Sequence, residues 1–307
     1  MLAQTLSPRY SSICGYTEHD LETVFAPELR GLDRRRIRDW YNGYSWGGEE
    51  KVYNPFDVLL LLADREFPAW WFETGPPTFL IDTLVSRGVP AASLDGMLAS
   101  ESRLGTFDVG AIDIEALLFQ TGYLTLGGRE RRRGKWLYRL VYPNREVRQS
   151  LNESLADALT GNPSRREADC DRLDRCLETA DFDGLERLLR SVPAGIPYQR
   201  HGGNRIARYE GYYATVLYTY FLGLSAAVTV EDSSSRGRLD MAVRAGGQVY
   251  LLEFKVRERG RAGSAMAQLK GRGYAEKYRH LGEPVHLTGL EFSTKTRNVV
   301  VFEVEPA

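Results

Sequence analysis

The clearest pattern in the chain is a pair of apolar runs, residues 237–243 and 249–256, joined by a short Arg-Ala-Gly-Gly-Gln link. Two such runs around a glycine-bearing link predict a β-hairpin. On the second run side chains alternate, so Glu253 and Lys255 fall on one face and Leu252, Phe254 and Val256 on the other. Earlier in the chain the period is mostly helical. Thr17 and Asp20 predict an N-cap for a helix over 18–25, and helical spacing recurs over 32–40, 56–64 and 78–85. Residues 113–122 read as a helix, and 123–126 and 135–141 as strands around a basic turn at 127–134. A helix opens after Pro143 and runs towards Leu159, and 161–167 is the best linker candidate, being polar and turn-forming. A helix pair follows at 169–180 and 183–190. Residues 209–224 form an apolar, aromatic-rich helix with one acid, Glu210, near its start. After it come a short strand (228–230), a loop (231–238), the hairpin, a helix (264–281) and two closing strands (285–290 and 299–304). That order suits a compact mixed sheet flanked by helices, an α/β (α+β mixed) fold class.

Length modifies this picture: 307 residues make two domains, with a small extra module, the default. The formal net charge of −1 argues neither for nor against a nucleic-acid partner, so local patches decide. One such patch, Arg34, Arg35, Arg36 and Arg38, reads as a solvated helix face ahead of a phosphate contact. Cys14, Cys170 and Cys176 have no CxxC pair or nearby His cluster and read as reduced thiols. The start lacks a basic segment followed by a long apolar run, and the longest apolar run, 58–63, is far too short to span a bilayer. The expectation is a soluble, cytoplasmic protein with no membrane partner.

Three blocks in the first part are long and odd in composition: Trp40-Tyr-Asn-Gly-Tyr-Ser-Trp, Val52-Tyr-Asn-Pro-Phe and Trp71-Phe-Glu-Thr-Gly-Pro-Pro-Thr-Phe-Leu-Ile. They resemble the C-terminal lid of the AAA-ATPase-like family of prokaryotic proteins, whose members carry a PD-(D/E)XK nuclease-like domain behind the ATPase. The resemblance starts near Leu6 and covers only the lid end. A Gly-x-x-x-x-Gly-Lys-Ser/Thr phosphate loop and a Walker B strand are both missing, so no ATP site is visible. The resemblance therefore implies a truncated, degenerate or split member that does not hydrolyse ATP alone. A partner chain would then supply the ATPase core, and a homo-oligomer is a further option. The helix, strand, basic turn and strand of 113–141 resemble a winged-helix element. A basic wing tip suits a phosphate backbone, although exposed arginines on a hairpin tip also serve solubility alone.

The last hundred or so residues resemble the nuclease-like domain of the same family. Asp240 stands thirteen residues before Glu253-Phe-Lys255 and Glu210 precedes both on a helix, which matches the PD-(D/E)XK pattern. Gln268 and Tyr274 lie in the following helix, where related nucleases often place a glutamine and a tyrosine, though their spacing here departs from the four residues of the recombination-nuclease branch. The residue types suit phosphodiester hydrolysis. Asp240 and Glu253, with Glu210 completing the site or holding a water, offer hard oxygen ligands for Mg2+ or Mn2+. Lys255 can orient or deprotonate water and stabilise negative charge, and Gln268 can contact phosphate or water. The competing reading is a structural ion pair of Asp240 and Lys255, with Glu210 a helix-surface acid. The expected organisation is a helical lid region with a winged-helix-like end at 1–160, a helical connector at 161–204 and the nuclease-like domain at 205–307. The expected activity is metal-dependent hydrolysis of nucleic acid, with DNA as the substrate. The alternative is a non-catalytic or partner-dependent module of a split ATPase–nuclease system, with the aromatic lid as an interaction surface.

Overall fold

The computed structural model describes residues 10–47, 50–70, 78–105, 113–196, 212–224, 226–234 and 237–307. The chain divides into two compact units, Met1–Leu84 with Ser93–Leu151, and Val85–Ala92 with Asn152–Ala307. No helix among the described residues is long and apolar enough to cross a membrane.

In the first unit, helix α1 (Glu18–Thr23) begins where Thr17 and Asp20 predict. The Asp20 N–H donates to Thr17 Oγ1 at 3.1 Å and the Thr17 N–H to Asp20 Oδ2 at 2.8 Å, a reciprocal cap. Asp33 caps α2 (Arg34–Tyr41), and Asn54 with Pro55 in the first turn starts α3 (Pro55–Asp64). Between them the aromatic stretch forms a two-stranded ribbon, β1 (Asn42–Tyr44) and β2 (Val52–Tyr53). Trp40, Tyr41 and Tyr53 are buried with Leu21, Ile37, Val58 and Leu61. Those aromatics make a core, where the alternative reading expected an interaction surface; Trp71–Pro77 lie outside the described residues. Nor is the arginine run bare. Arg34 and Arg38 both reach Glu18, at 3.1 and 2.9 Å, and the Arg36 guanidinium lies 4.2 Å from the Phe67 ring centre.

Helix α4 (Thr78–Arg87) is followed by β3 (Met97–Ser100), a strand sequence reasoning did not anticipate, and by α5 (Glu101–Leu104) and α6 (Ile114–Gln120). Strands β4 (Thr125–Arg132) and β5 (Lys135–Val141) complete a sheet of order β3-β5-β4. Here the expected eight-residue turn shrinks to two residues, Arg133 and Gly134, with φ +49° and +79°. The basic residues 129–132 are strand, paired in register with 135–138. Left-handed backbone at both turn positions matches the twist of the flanking strands, which is why the ladder continues to the tip.

Helix α7 (Arg145–Thr160) leads into the second unit. The linker expected at 161–167 is instead a helix start: Asn162 Oδ1 accepts from the Arg165 N–H at 3.0 Å, Pro163 occupies the first turn, and α8 runs Pro163–Thr179. The same Asn-Pro chemistry that signals a turn also caps a helix. Asp181 caps α9 (Phe182–Ala194), whose Leu185, Leu188, Leu189 and Val192 form one buried stripe. Helix α10 (Tyr212–Leu222) precedes a five-stranded sheet of order β10-β9-β8-β7-β6, made of β6 (Ala227–Ser234), β7 (Gly237–Ala245), β8 (Gln248–Val256), β9 (Val285–Ser293) and β10 (Asn298–Pro306). Strand β6 extends through the predicted loop to Ser234. Only the β8–β9 pair is parallel, and α11 (Ser264–Arg272) lies in the connection between them. The helix predicted to continue to 281 ends at Gly273, where φ is +56° and short 3-10 turns take over.

The sheet is covered on both faces. Tyr250, Leu252 and Phe254 of β8 pack with α8, α9 and α10, while Val249 and Leu251 pack with Met266 and Leu269 of α11. This explains why β8 is nearly all apolar. The predicted hairpin is present, with Ala245 paired to Gln248 and Gly246-Gly247 as the turn, φ +57° and +72°. A Cβ on Gly246 would come within 2.5 Å of the Glu178 carbonyl oxygen, whereas at Gly247 it would meet nothing. Gly247→Ala is expected to cost only the left-handed backbone term, about 1–2 kcal/mol. Gly246→Ala adds a backbone clash with α8, so in thermal unfolding its melting temperature should fall clearly below that of Gly247→Ala.

Candidate active site

The site forms where β7 and β8 part. Their ladder runs from Ala245↔Gln248 to Met241↔Leu252 and stops, while β7 continues beside β6 to Gly237. The Phe254 N–H donates to Asp240 Oδ2 at 2.8 Å, so a side-chain carboxylate takes the position of a ladder carbonyl. On the opposite face Phe254 is held among Tyr218, Phe221 and Phe292, with ring centres 4.7, 6.5 and 6.1 Å away. Anchoring Phe254 there forces Glu253 and Lys255 to the other face, as alternation predicts.

Glu253 is fully buried. Its Oε1 accepts from Lys255 Nζ at 2.5 Å and from Gln268 Nε2 of α11 at 2.5 Å. Its Oε2 is buried with no hydrogen-bond partner. Gly289 of β9 stands in register with Glu253, and a Cβ there would lie 3.0 Å from the Met266 nitrogen. Glycine lets α11 approach closely enough for Gln268 to reach. Asp240, Glu253, Lys255 and Gln268 are thus brought together. Lys255 pairs with Glu253, where the competing reading paired it with Asp240. Glu210 lies outside the described residues. Tyr274 is buried in the cluster under the sheet, beside Met266 and Leu269.

Sequence reasoning missed Glu291, which is fully buried and stands in register with Lys255. Its Oε1 accepts from Ser264 Oγ at 3.1 Å and the Ala265 N–H at 3.4 Å, at the start of α11. The signal was present: an acid between Leu290 and Phe292 in an apolar run, as with Glu253. Ending the strand at 290 hid it.

Burial pushes the Glu253 carboxyl up to about 7, reinforced by the Asp240 charge and opposed by Lys255. A buried carboxylate oxygen without a donor, with a second carboxylate beside it, fits a hard divalent cation such as Mg2+ or Mn2+. Such ions take oxygen ligands and keep waters for the remaining positions. Among the described residues no three His, Cys, Asp or Glu side chains form a metal-binding cluster. Asp240 and Glu253 are the pair that would hold the ion.

Residues 208–302 match the PD-(D/E)XK nuclease superfamily, so the five-stranded sheet and the residues at its β7–β8 opening lie in a domain of that superfamily. A similar protein is the "Uncharacterized protein in vnfD 5'region" of Azotobacter chroococcum mcd 1, 51% identical over 301 residues, covering 98% of this chain. The chain spans 58% of that relative's length. No solved structure matches it.

The protonation of Glu253 is open to measurement. The folded protein holds this proton up to about pH 7 and the unfolded chain only up to about 4.5. Between those values the folded state binds more protons, so stability falls as pH rises through the window, by up to about 1.4 kcal/mol per pH unit. With divalent cations chelated, the wild-type melting temperature should drop between pH 5 and 8 more steeply than that of Glu253→Gln. Parallel curves would show that Glu253 titrates normally.

Proposed function

We propose that residues 205–307 hydrolyse phosphodiester bonds of nucleic acid, with DNA as the substrate and Mg2+ or Mn2+ held by Asp240 and Glu253. The observation that carries this reading is the convergence of Asp240, Lys255 and Gln268 on a buried Glu253 at the strand opening. A bound divalent cation supplies charge neutralisation on the phosphoryl oxygens and a lowered water pKa. The chain's own groups do the rest. Glu253 and Asp240 bring two carboxyl groups to one spot, and the repulsion between them when both are ionised is what a proton on Glu253, or a bound cation, would relieve. Lys255 is tied to Glu253 Oε1 yet 34% exposed, which leaves its ammonium able to orient a water and to meet the charge that grows on the phosphate. Gln268 fixes the Glu253 carboxyl and keeps its Oε2 free. Glu210, outside the described residues, is the acid that the resemblance would add as a further oxygen ligand, directly or through a water.

A second reading keeps the first part of the chain in view. Residues 1–160 would act as a lid-like, winged-helix-ended regulatory region and 161–204 as a connector, with the ATPase core supplied by a partner chain. What supports it is the resemblance of the three aromatic blocks to such a lid.

The test is hydrolysis of plasmid and single-stranded DNA with Mg2+ or Mn2+. Asp240→Ala and Lys255→Ala should each lower the rate by about 100-fold or more, the scale of losing one positioned electrostatic group. If wild type leaves every substrate intact with every metal, autonomous hydrolysis is refuted and the partner-dependent reading takes its place. Cutting by the variants at the wild-type rate would refute the assigned site.

A further inference from the structure

The β4–β5 hairpin of the first unit plays no part in the site above, yet it carries the most one-sided charge in the chain. Arg129, Arg131, Arg132, Arg133, Lys135 and Arg139 stand against one acid, Glu130, a formal +5 within residues 127–139 of a chain whose total is −1. All six cations are exposed. Among the described residues Glu130 is the one carboxylate that pairs with them, on Arg132 at 2.7 Å. The arginine run of α2 differs: Glu18 holds two of its members and Phe67 a third.

Register sorts the hairpin's side chains. Arg131 is opposite Trp136 and Arg129 opposite Tyr138, so the two guanidiniums and the indole share one face. Trp136 is 41% exposed, and the Arg129 guanidinium lies 4.6 Å from its ring centre. Solubility requires neither a single sign of charge nor an exposed indole; mixed charges serve it better. Cations alone would suit any phosphate backbone. A guanidinium-flanked indole adds a stacking surface that only an unpaired base can use.

We propose that the Arg129, Arg131 and Trp136 face of this hairpin docks single-stranded nucleic acid, its phosphates on the arginines and a base on the indole. The inference shares a substrate class with the proposed function but none of its chemistry, and its test is run without divalent cations, so the two fail separately.

The experiment is fluorescence anisotropy of labelled oligo(dT), oligo(rU), an abasic strand and a duplex with the full chain in EDTA. Trp136→Ala should weaken oligo(dT) or oligo(rU) binding roughly 10- to 100-fold and leave the abasic strand unchanged. The Arg129→Ala/Arg131→Ala double variant should reduce the slope of log affinity against log salt by about 1.4, the share of two phosphates on a single strand. Comparing oligo(dT) with oligo(rU) separates DNA from RNA. These positions are exposed, and unchanged melting curves would confirm that the variants fold. Absence of binding, binding indifferent to both variants, or a duplex preference untouched by Trp136→Ala would each overturn the proposal.

Discussion

The second unit is built around the placement of one carboxyl group in a strand with no solvent side. Strand β8 has a neighbour on each edge and helices over each face. A charged, unpaired carboxylate there costs several kcal/mol. Three features of the fold answer that cost together. Lys255, two residues on, leans back to Oε1; Gln268 reaches it from α11; and α11 can lie so close because Gly289 has no side chain. On the reverse face, Phe254 among its aromatic neighbours prevents a one-residue slip, which would move Glu253 into the apolar core and Lys255 with it. Even with these partners, burial and the Asp240 charge keep the carboxyl protonated well above its ordinary range. The fold holds the group in place without satisfying it, and that residual demand is what a cation would meet.

Burial alone does not define such a site, as two other acids demonstrate. Asp57 is fully buried in the first turn of α3, and burial pushes it up to about 6, against the pull of Glu146 and Asn54. Its position accounts for it: an acid in the first helical turn faces the positive end of the helix. Glu291 is equally buried but spends Oε1 on the start of α11. It is a capping group for the helix that carries Gln268, one step removed from the chemistry. Glu253 differs by its company. An ammonium that reaches solvent and an amide from another element converge on one of its oxygens, with the Asp240 carboxylate beside it; a buried oxygen without a hydrogen-bond partner does not by itself set it apart, since Glu291 Oε2 and both Asp57 oxygens share that state.

Much of this was legible in residue types and spacing. The hairpin, the face shared by Glu253 and Lys255, and the order of elements from α10 to β10 follow from period-two alternation and glycine punctuation. The capping pair Thr17 and Asp20 placed α1. What could not be read depended on neighbours distant in sequence. Gly289 is an unremarkable glycine until β9 is known to lie parallel to β8, opposite Glu253. Glu291 was missed, although an acid inside an apolar run marks it, because strand length is set by pairing with β10, which carries β9 on to Ser293. The Asn-Pro at 162–163 has two valid local meanings, and packing of Leu173 and Leu177 against the sheet decides for a helix. Polar strand ends such as Arg129–Arg132 and Glu231–Ser234 read as loops for a related reason: their pairing partners, and not their propensity, keep them extended.

The same dependence governs charge. Residues 34–38 and 129–133 are equally arginine-rich in sequence, and composition cannot rank them. Their surroundings do. Helix α2 turns Arg34 and Arg38 towards one glutamate, which also accepts from the Tyr53 hydroxyl at 2.6 Å, so that charge is consumed in holding the first unit's aromatic core. The tip of the β4–β5 hairpin runs past the end of β3, whose pairing with β5 stops at Ser100 opposite Leu137, and its pleat sends alternate arginines to opposite faces, where they stay exposed. A near-zero net charge therefore conceals one basic cluster that is spent on structure and another that is not. Only the second retains a field that reaches beyond the protein surface, within the Debye length of about 8 Å at physiological salt.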